Sequence, residues 1–297
     1  MATLKLFDWE DLGKDYPILY EALDKKYGIY TYGISELVKL AKLRKGETVL
    51  DLGCGTGISS EIIYNKIGKL GKLVGLDISP VMLNYAKQKF RGKDNAEFLL
   101  LDVFDLEKVF RISKLVDSRF DAVFANFSYW YFSLKSDLFF KKVYDVLSIK
   151  GRLAFNVTPF LIPFVFRGKW YNNFANILDR YITEILLRRG YTIEDSEQDE
   201  LPSSFQIDGI ESSLRRLGFS RIDSKLVSLP CTVIDMLEFN YEGFWQFGLK
   251  PIIGPLCKVP AEERKEIYHE LIVRARQKLD RIRERPKIFN VLAKNQE

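Results

Sequence analysis

Cysteine is scarce in this sequence and histidine is nearly absent. There are three cysteines, Cys54, Cys231 and Cys257, and a single histidine, His269. The cysteines are scattered and no Cys-x-x-Cys pair occurs. Neither a disulfide scaffold nor a zinc knuckle is indicated, and the set fits free thiols in a reducing cytosol. No metal site is indicated. Long apolar runs are also missing. The most apolar stretch, Phe160 to Phe166, is far too short to span a bilayer, and it reads as packing under a cap. The first residues, Met1 to Tyr16, carry Asp8, Glu10 and Asp11 and lack the apolar core of a signal peptide. A soluble, cytoplasmic protein is expected. Charge of one sign is not in excess: Lys and Arg number 45 against 40 Asp and Glu, a net +5. A nucleic-acid binder would more often concentrate its basic residues in a stripe. Internal repeats and low-complexity segments are lacking too.

What is present is apolar side chain in quantity. Of 297 residues, 47% are hydrophobic and 14% aromatic, enough to offset the entropy of ordering the chain. Apolar residues recur at helical spacing at Ile18, Leu19, Ala22 and Leu23, and again at Ile34, Leu37, Val38 and Ala41. A Tyr- and Gly-rich break, residues 27–33, lies between them.

From Thr48 onward, strand and helix alternate. Strands are predicted at 48–52, 72–77, 96–101, 120–125 and 151–157, with helices at 58–67, from Ser79-Pro80, and at 138–147. This alternation predicts a doubly wound, mostly parallel α/β sheet, whose ligands bind beyond the carboxyl ends of the strands. Further helices are predicted at 170–189, 208–217 and 261–285, and further strands at 219–228 and 287–293. The division that follows is an N-terminal helical lid (1–44), an α/β domain (45–231 and 286–297) and a helical cap insertion (232–285).

The stretch that carries chemistry is Val49-Leu50-Asp51-Leu52-Gly53-Cys54-Gly55-Thr56-Gly57. Gly53 allows a tight turn, Gly55 a close backbone approach, and Gly57 opens the following helix. An acid, Asp77, stands twenty positions beyond Gly57 at the end of the next strand. A carboxylate there suits the two hydroxyls of a ribose. A dinucleotide is disfavoured. Ile58 stands where the nicotinamide fingerprint wants a small residue, and Asp51 would repel a pyrophosphate. Asp51 suits a cationic ligand instead.

These residues, with Gly-Leu-Asp-Ile-Ser-Pro at 75–80, Met82-Leu83 and Leu-Leu-Asp-Val at 100–103, resemble the class I S-adenosylmethionine-dependent methyltransferases, in particular the group around the ubiquinone and menaquinone C-methyltransferases. The resemblance spans roughly residues 45–160. It implies a seven-stranded Rossmann-like sheet with an antiparallel final strand and S-adenosylmethionine as cofactor, without a metal. It also implies that Asp51, Gly53, Gly55 and Gly57 hold the methionyl part, that Asp77 binds the ribose, and that Ile78 and Met82 pack on the adenine. Asp102 would accept from the adenine amino group, the Val103 backbone would read a ring nitrogen, and Asn126 would lie near the transferring methyl.

Methyl transfer from a sulfonium needs alignment and exclusion of water more than a strong base. The catalytic residues are therefore open. Asn126-Phe127-Ser128-Tyr129 lacks the prolines of amino-group methylases of adenine or glutamine, and Pro230-Cys231 lies too far downstream for a cytosine C5 enzyme. A small aromatic or lipophilic acceptor remains, with Tyr16, Tyr20, Asn126, Tyr129, Trp130, Tyr241 and Trp245 as substrate-facing candidates. Two alternatives stay open: a tRNA or protein methyltransferase using the basic 274–287 helix, and a non-catalytic cofactor-binding regulator. His269 and that basic run otherwise read as a solvated helix face, with peripheral membrane contact a further option for the run.

Overall fold

A computed structural model describes residues 13–157, 164–166, 169–171, 174–191, 207–243, 259–279 and 285–295. Two helices come first, α1 (Tyr16–Tyr27) and α2 (Ile29–Leu40). The predicted break over 27–33 narrows to Gly28, whose left-handed φ of 67° ends one helix and begins the next. Residues 29–33 are helical because a cap arrives from outside α2. Buried Asp24, in the last turn of α1, accepts hydrogen bonds from the Tyr30 N–H at 2.7 Å, the Thr31 N–H at 3.2 Å and the Thr31 hydroxyl at 2.5 Å. Gly28 has no side chain with which to do this. Replacing Asp24 by Ala is therefore expected to lower stability by about 1–2 kcal/mol. Asp24→Asn, which keeps an acceptor, should recover most of that loss. Urea denaturation reads both, and equal losses would show that the cap is not the cause.

The alternating region then follows: β1 (Thr48–Leu52), α3 (Ile58–Ile67), β2 (Lys72–Asp77), α4 (Pro80–Lys89) and β3 (Ala96–Leu100). Ser79 caps α4, accepting from the Met82 N–H at 3.5 Å, and Pro80 takes the first helical position. After β3 come a 3-10 turn over Val103–Lys108, α5 (Val109–Ile112), β4 (Phe120–Ala125), α6 (Tyr129–Phe132), α7 (Ser136–Val146) and β5 (Leu147–Val157). β5 starts earlier than the sequence predicts. Leu147 pairs with Phe120 and Arg152 with Ala122, so the residues between bulge out, with Lys150 at a φ of 67°. A bulge lets a turn-like Lys-Gly pair sit inside a strand.

Beyond β5 the predicted helix over 170–189 is shortened. β6 (Phe164–Phe166) and β7 (Lys169–Tyr171) form a small antiparallel hairpin, and α8 (Phe174–Arg188) begins after it. The Val, Phe, Trp and Tyr of this stretch favour strand pairing over helix. Residues 160–163 of the apolar run lie outside the described residues. The chain continues through α9 (Ile207–Arg216), β8 (Arg221–Ser228), α10 (Val233–Gly243), α11 (Ala261–Leu279) and β9 (Lys287–Lys294). The described part of the predicted 261–285 helix ends at Leu279; residues 280–284 lie outside the described residues.

The sheet order is β3-β2-β1-β4-β5-β9-β8. β3, β2, β1, β4 and β5 are mutually parallel, and β9 runs antiparallel between β5 and β8. This is the seven-stranded, mostly parallel Rossmann-like sheet. Each face buries one helical layer: α2, α3 and α4 on one side, α5, α7 and α9 on the other. The strand order reverses between β1 and β4, so the crevice for a ligand opens at their carboxyl ends. A third apolar cluster joins α8, α10 and α11 through Ile182, Leu237 and Leu271. A fourth, over the carboxyl ends, joins α1, α2, β8, β9 and α10 through Tyr27, Tyr30, Phe127, Phe239 and Ile288. Among the described residues, no helix is long and apolar enough to cross a membrane.

Candidate functional site

The loop after β1 lies in this crevice. Gly53, Gly55 and Gly57 have φ values of 65°, 55° and 85°, a region costly for any residue with a Cβ. Gly53 is also the tightest of the three. A Cβ there would stand 2.6 Å from the Ser128 Cβ, while the Ser128 hydroxyl donates to the Leu52 carbonyl at 2.8 Å. The loop is thus pressed onto the turn that follows β4. Cys54 sits buried within it, and burial pushes its thiol well up. That disfavours thiolate chemistry.

Two carboxylates flank the loop. Asp51 is buried at the end of β1, and its Oδ2 accepts from the Ser60 hydroxyl at 2.6 Å. Its Oδ1 is equally buried with no protein partner, as is the Thr56 hydroxyl. Burial pushes the Asp51 pKa up to about 7; the Ser60 bond pulls it down, and nearby Asp77 adds a smaller upward push. Asp77, half-buried at the end of β2, accepts from the Gly55 N–H at 2.7 Å and the Ser79 N–H at 2.9 Å. Burial raises its pKa too, against the lowering effect of those N–H donors. The side chain therefore pins loop to strand, and each oxygen retains a lone pair for a further donor. Ile78, next along, is 40% exposed, an unusual apolar surface beside a carboxylate. Met82, by contrast, is buried beneath the loop, its Cε 3.5 Å from where a Gly55 Cβ would stand. Asp102 is exposed at the end of β3 and accepts from the Phe104 N–H at 2.9 Å, and Val103 is buried after it.

On the acceptor side the structure gathers some predicted residues and disperses others. Tyr16 and Tyr20 lie together with ring centroids 6.1 Å apart, and Tyr20 stacks on Tyr30 at 4.5 Å. Tyr30 meets Phe127 and Phe239 edge-on. Burial raises the phenol pKa of Tyr16, Tyr20 and Tyr30, so all three are neutral. The phenol of Tyr131 is also raised, chiefly by burial, although the residue as a whole is 37% exposed.

Three assignments need correction. Tyr129 is fully buried against Phe139, Phe140 and Phe155, a core residue, because α6 turns its first ring inward. Asn126 is buried and engaged within the protein. Its Nδ2 donates to the Tyr30 carbonyl at 3.0 Å and the Ser59 hydroxyl at 2.9 Å, and its Oδ1 accepts from Asn156 at 2.7 Å. Tyr241 stacks on Tyr268 and lies beside His269 in a surface groove of about 560 Å³ on the helical layer. The Trp130 side chain and the whole of Trp245 lie outside the described residues.

Sequence reasoning missed Ser60, Tyr30, Phe127 and Asn156. Phe127 adopts a left-handed φ of 55°, and its N–H donates to Asn156 Oδ1 at 2.6 Å. No sequence signal marks a phenylalanine for that conformation. Ser60, one helical turn into α3 from the loop, could have been found as a hydroxyl placed to reach Asp51. Two residues of the basic run are held in ion pairs, Arg274 with Glu184 and Arg276 with Glu238, and on the same helix Glu270 receives Arg188 at 2.7 Å.

Comparison with known proteins bears on this geometry. Residues 43–177 match the family described as "Methyltransferase domain". A malonyl-[acyl-carrier protein] O-methyltransferase of Ilyobacter polytropus is 30% identical over 113 residues, 38% of this chain and 38% of that protein. A demethylmenaquinone methyltransferase of Oceanobacillus iheyensis is 44% identical over 54 residues, 18% of this chain and 23% of that protein. The chain thus spans well under half the length of these two relatives. A demethylmenaquinone methyltransferase of Lactobacillus johnsonii is 24% identical over 59% of this chain and 72% of its own length. Among solved structures, phosphoethanolamine N-methyltransferase 2 of Haemonchus contortus, with S-adenosylhomocysteine bound, aligns over 99% of this chain and 61% of its own, at a TM-score of 0.53 and 16% identity. A mycolic acid cyclopropane synthase, also holding S-adenosylhomocysteine, aligns over 95% and 96%, at 0.52 and 16%. At these identities the structures bear on fold alone.

Proposed function

We propose that this chain, whose residues 43–177 match a methyltransferase-domain family, is a class I S-adenosylmethionine-dependent methyltransferase that transfers a methyl group by in-line displacement to a small, aromatic or lipophilic acceptor. The observation that carries the reading is the orphaned Asp51 Oδ1, a buried carboxylate oxygen at a loop of left-handed glycines. Such an oxygen calls for a cationic donor, and the α-ammonium of S-adenosylmethionine is one. The donor set fits the rest of the cofactor as well. Asp77 would take the ribose hydroxyls, exposed Ile78 would cover one face of the adenine, and Asp102 would accept from its amino group. Buried Met82 would support the loop from below rather than touch the ring.

When bound, the cofactor supplies a methyl group already activated on a sulfonium. The chain's own residues then bind, orient and exclude water. Asp51 neutralises the ammonium, the glycine loop admits the methionyl chain, and Tyr16, Tyr20 and Tyr30 would wall the acceptor space with neutral phenols. In this reading α1 and α10 form the lid, α1 being tied to α4 by Lys89–Glu21 at 2.6 Å and to α10 by Lys26–Glu242 at 2.8 Å. Residues 1–44 then act as lid, 45–231 with 286–297 as the α/β domain, and 232–285 as cap. α8 joins the cap's helical layer.

Calorimetry with S-adenosylmethionine, S-adenosylhomocysteine and NAD tests the cofactor. Micromolar binding of the first two and none of NAD is expected. No binding, or a preference for NAD, would sink the reading. Transfer of radiolabelled methyl to a panel of quinols, phenols, amines and acyl thioesters then tests the chemistry. Binding without turnover on any of them would favour a regulator.

A further inference from the structure

The carboxyl end of the sheet carries three asparagines on adjacent strands. Asn126 follows β4, Asn156 lies in β5, and Asn290 lies in β9 in direct register with Asn156. All three are buried, Asn156 and Asn290 at 1% exposure each. Their chemistry is alike, but their engagement is not. Neither polar atom of the Asn290 side chain has a protein partner. Asn156 uses both ends of its amide: Oδ1 accepts from the Phe127 N–H at 2.6 Å, and Nδ2 donates to Asn126 Oδ1 at 2.7 Å.

Those two bonds fix the turn on which both halves of the candidate site meet. The first holds Phe127 at φ 55°, a conformation a phenylalanine adopts only when its surroundings impose it. The Phe127 ring then stands edge-on to Tyr30 at 5.2 Å, and Tyr30 stacks on Tyr20. The second bond fixes which way the Asn126 amide faces. With its oxygen turned to Asn156, its nitrogen reaches the Tyr30 carbonyl on α2 and the Ser59 hydroxyl on α3. The neighbour of Ser59, Ser60, donates to Asp51. The fit is close. A Cβ on Gly33 would fall 2.8 Å from Asn126 Oδ1, 3.2 Å from Asn156 Nδ2 and 2.3 Å from the Phe127 ring.

We propose that Asn156 is a positioning residue: through Phe127 and Asn126 it couples the tyrosine wall on α1 and α2 to the Ser59–Ser60 turn of α3 that orients Asp51. The proposal rests on the methyltransferase reading for what the two halves bind. Its physical content is a coupling between them. Occupancy at Asp51 is felt at Tyr20 and Tyr30, neither of which touches Asp51, and the coupling passes through one amide. A buried amide that served only to fill space would not do this, and Asn290 supplies that comparison in the same molecule.

The test uses the full chain labelled with 3-fluorotyrosine, the Tyr20 and Tyr30 resonances being assigned from Tyr20→Phe and Tyr30→Phe. S-adenosylmethionine is the probe, with calorimetry run in parallel. In the parent protein and in Asn290→Leu, the two resonances should shift on saturation. In Asn156→Leu, affinity should fall by about threefold to thirtyfold, and the two resonances should no longer respond at saturation. Asn156→Asp keeps the acceptor for the Phe127 N–H in a side chain of the same size. As a carboxylate it loses the donor to Asn126, so it should show the same loss of response, and it serves if the Leu variant does not fold. Shifts and affinity in both Asn156 variants equal to those of Asn290→Leu would overturn the proposal. A parent protein that binds no S-adenosylmethionine would overturn the cofactor reading instead. In that case Tyr20 and Tyr30 resonances that stay at their parent positions in unliganded Asn156→Asp would overturn the positioning role separately.

Discussion

Replacing Asp77 by Ala is expected to weaken S-adenosylmethionine binding by a hundredfold or more, on the order of 3 kcal/mol from two hydrogen bonds to a charged acceptor. Two losses combine. The variant would lose both oxygens that face the ribose in the proposed pose. It would also release the Gly55 and Ser79 N–H groups that Asp77 holds at 2.7 and 2.9 Å, so the loop loses its anchor to β2. The loss of loop order predicts that S-adenosylhomocysteine, which carries the same ribose without the sulfonium charge, suffers by the same factor. Asp77→Asn, which keeps one acceptor and most of the shape, should fall between parent and Ala. Calorimetry on the three proteins measures this. Retention of parent affinity in Asp77→Ala would mean that no ribose lies there.

The second expectation concerns protons. With its pKa pushed up to about 7 by burial, Asp51 is largely protonated at pH 5.5 in the free protein. A neutral carboxyl offers an ammonium little attraction. S-adenosylmethionine affinity should therefore rise about tenfold per pH unit up to near 7 and flatten above it. The ligand's own amino group sets the upper end of the window, since α-amino groups titrate near 8. Binding should release a proton at pH 6, visible as a heat that scales with the ionisation enthalpy of the buffer. Asp51→Asn should bind weakly and without this slope, and a persistent slope in that variant would assign it to another group, Asp77 first.

The same raised pKa affects stability with a definite sign. An acid whose folded pKa exceeds its unfolded value favours the native state while protonated. The Asp51 contribution is thus fully present below about pH 4 and is lost as pH rises through about 7. A bound cation would offset that loss. The unliganded protein should therefore gain more from S-adenosylmethionine at pH 8 than at pH 6, beyond what mass action at fixed affinity gives.

Much of this was legible from residue order alone. The alternation of apolar strands and amphipathic helices from Thr48 to Val157 determined a parallel doubly wound sheet. The strands there are apolar and alternate with helices, a pattern that a parallel sheet covered by helices on both faces buries. The glycines of the loop and Asp77 were legible for the same reason: their roles depend on local backbone and strand position. The bounds of β1, α3, β2 and β4 were read to the residue.

Tertiary structure decided what depends on direction and neighbours. Sequence spacing cannot say whether a ring at the end of a strand faces ligand or core. Tyr129 went to the core while Tyr131, two positions on, is 37% exposed, because two residues along a helix turn a side chain through about half a circle. It could not show that the Asn126 amide is consumed by Tyr30, Ser59 and Asn156, since those partners come from three other elements. It could not show that Gly28 ends one helix and starts another, because the cap for α2 comes from Asp24 across the break. Nor could it distinguish Asn156 from Asn290. The two face each other across one rung of the sheet, and only the folded chain brings Phe127 and Asn126 to the first and leaves the second without a protein partner.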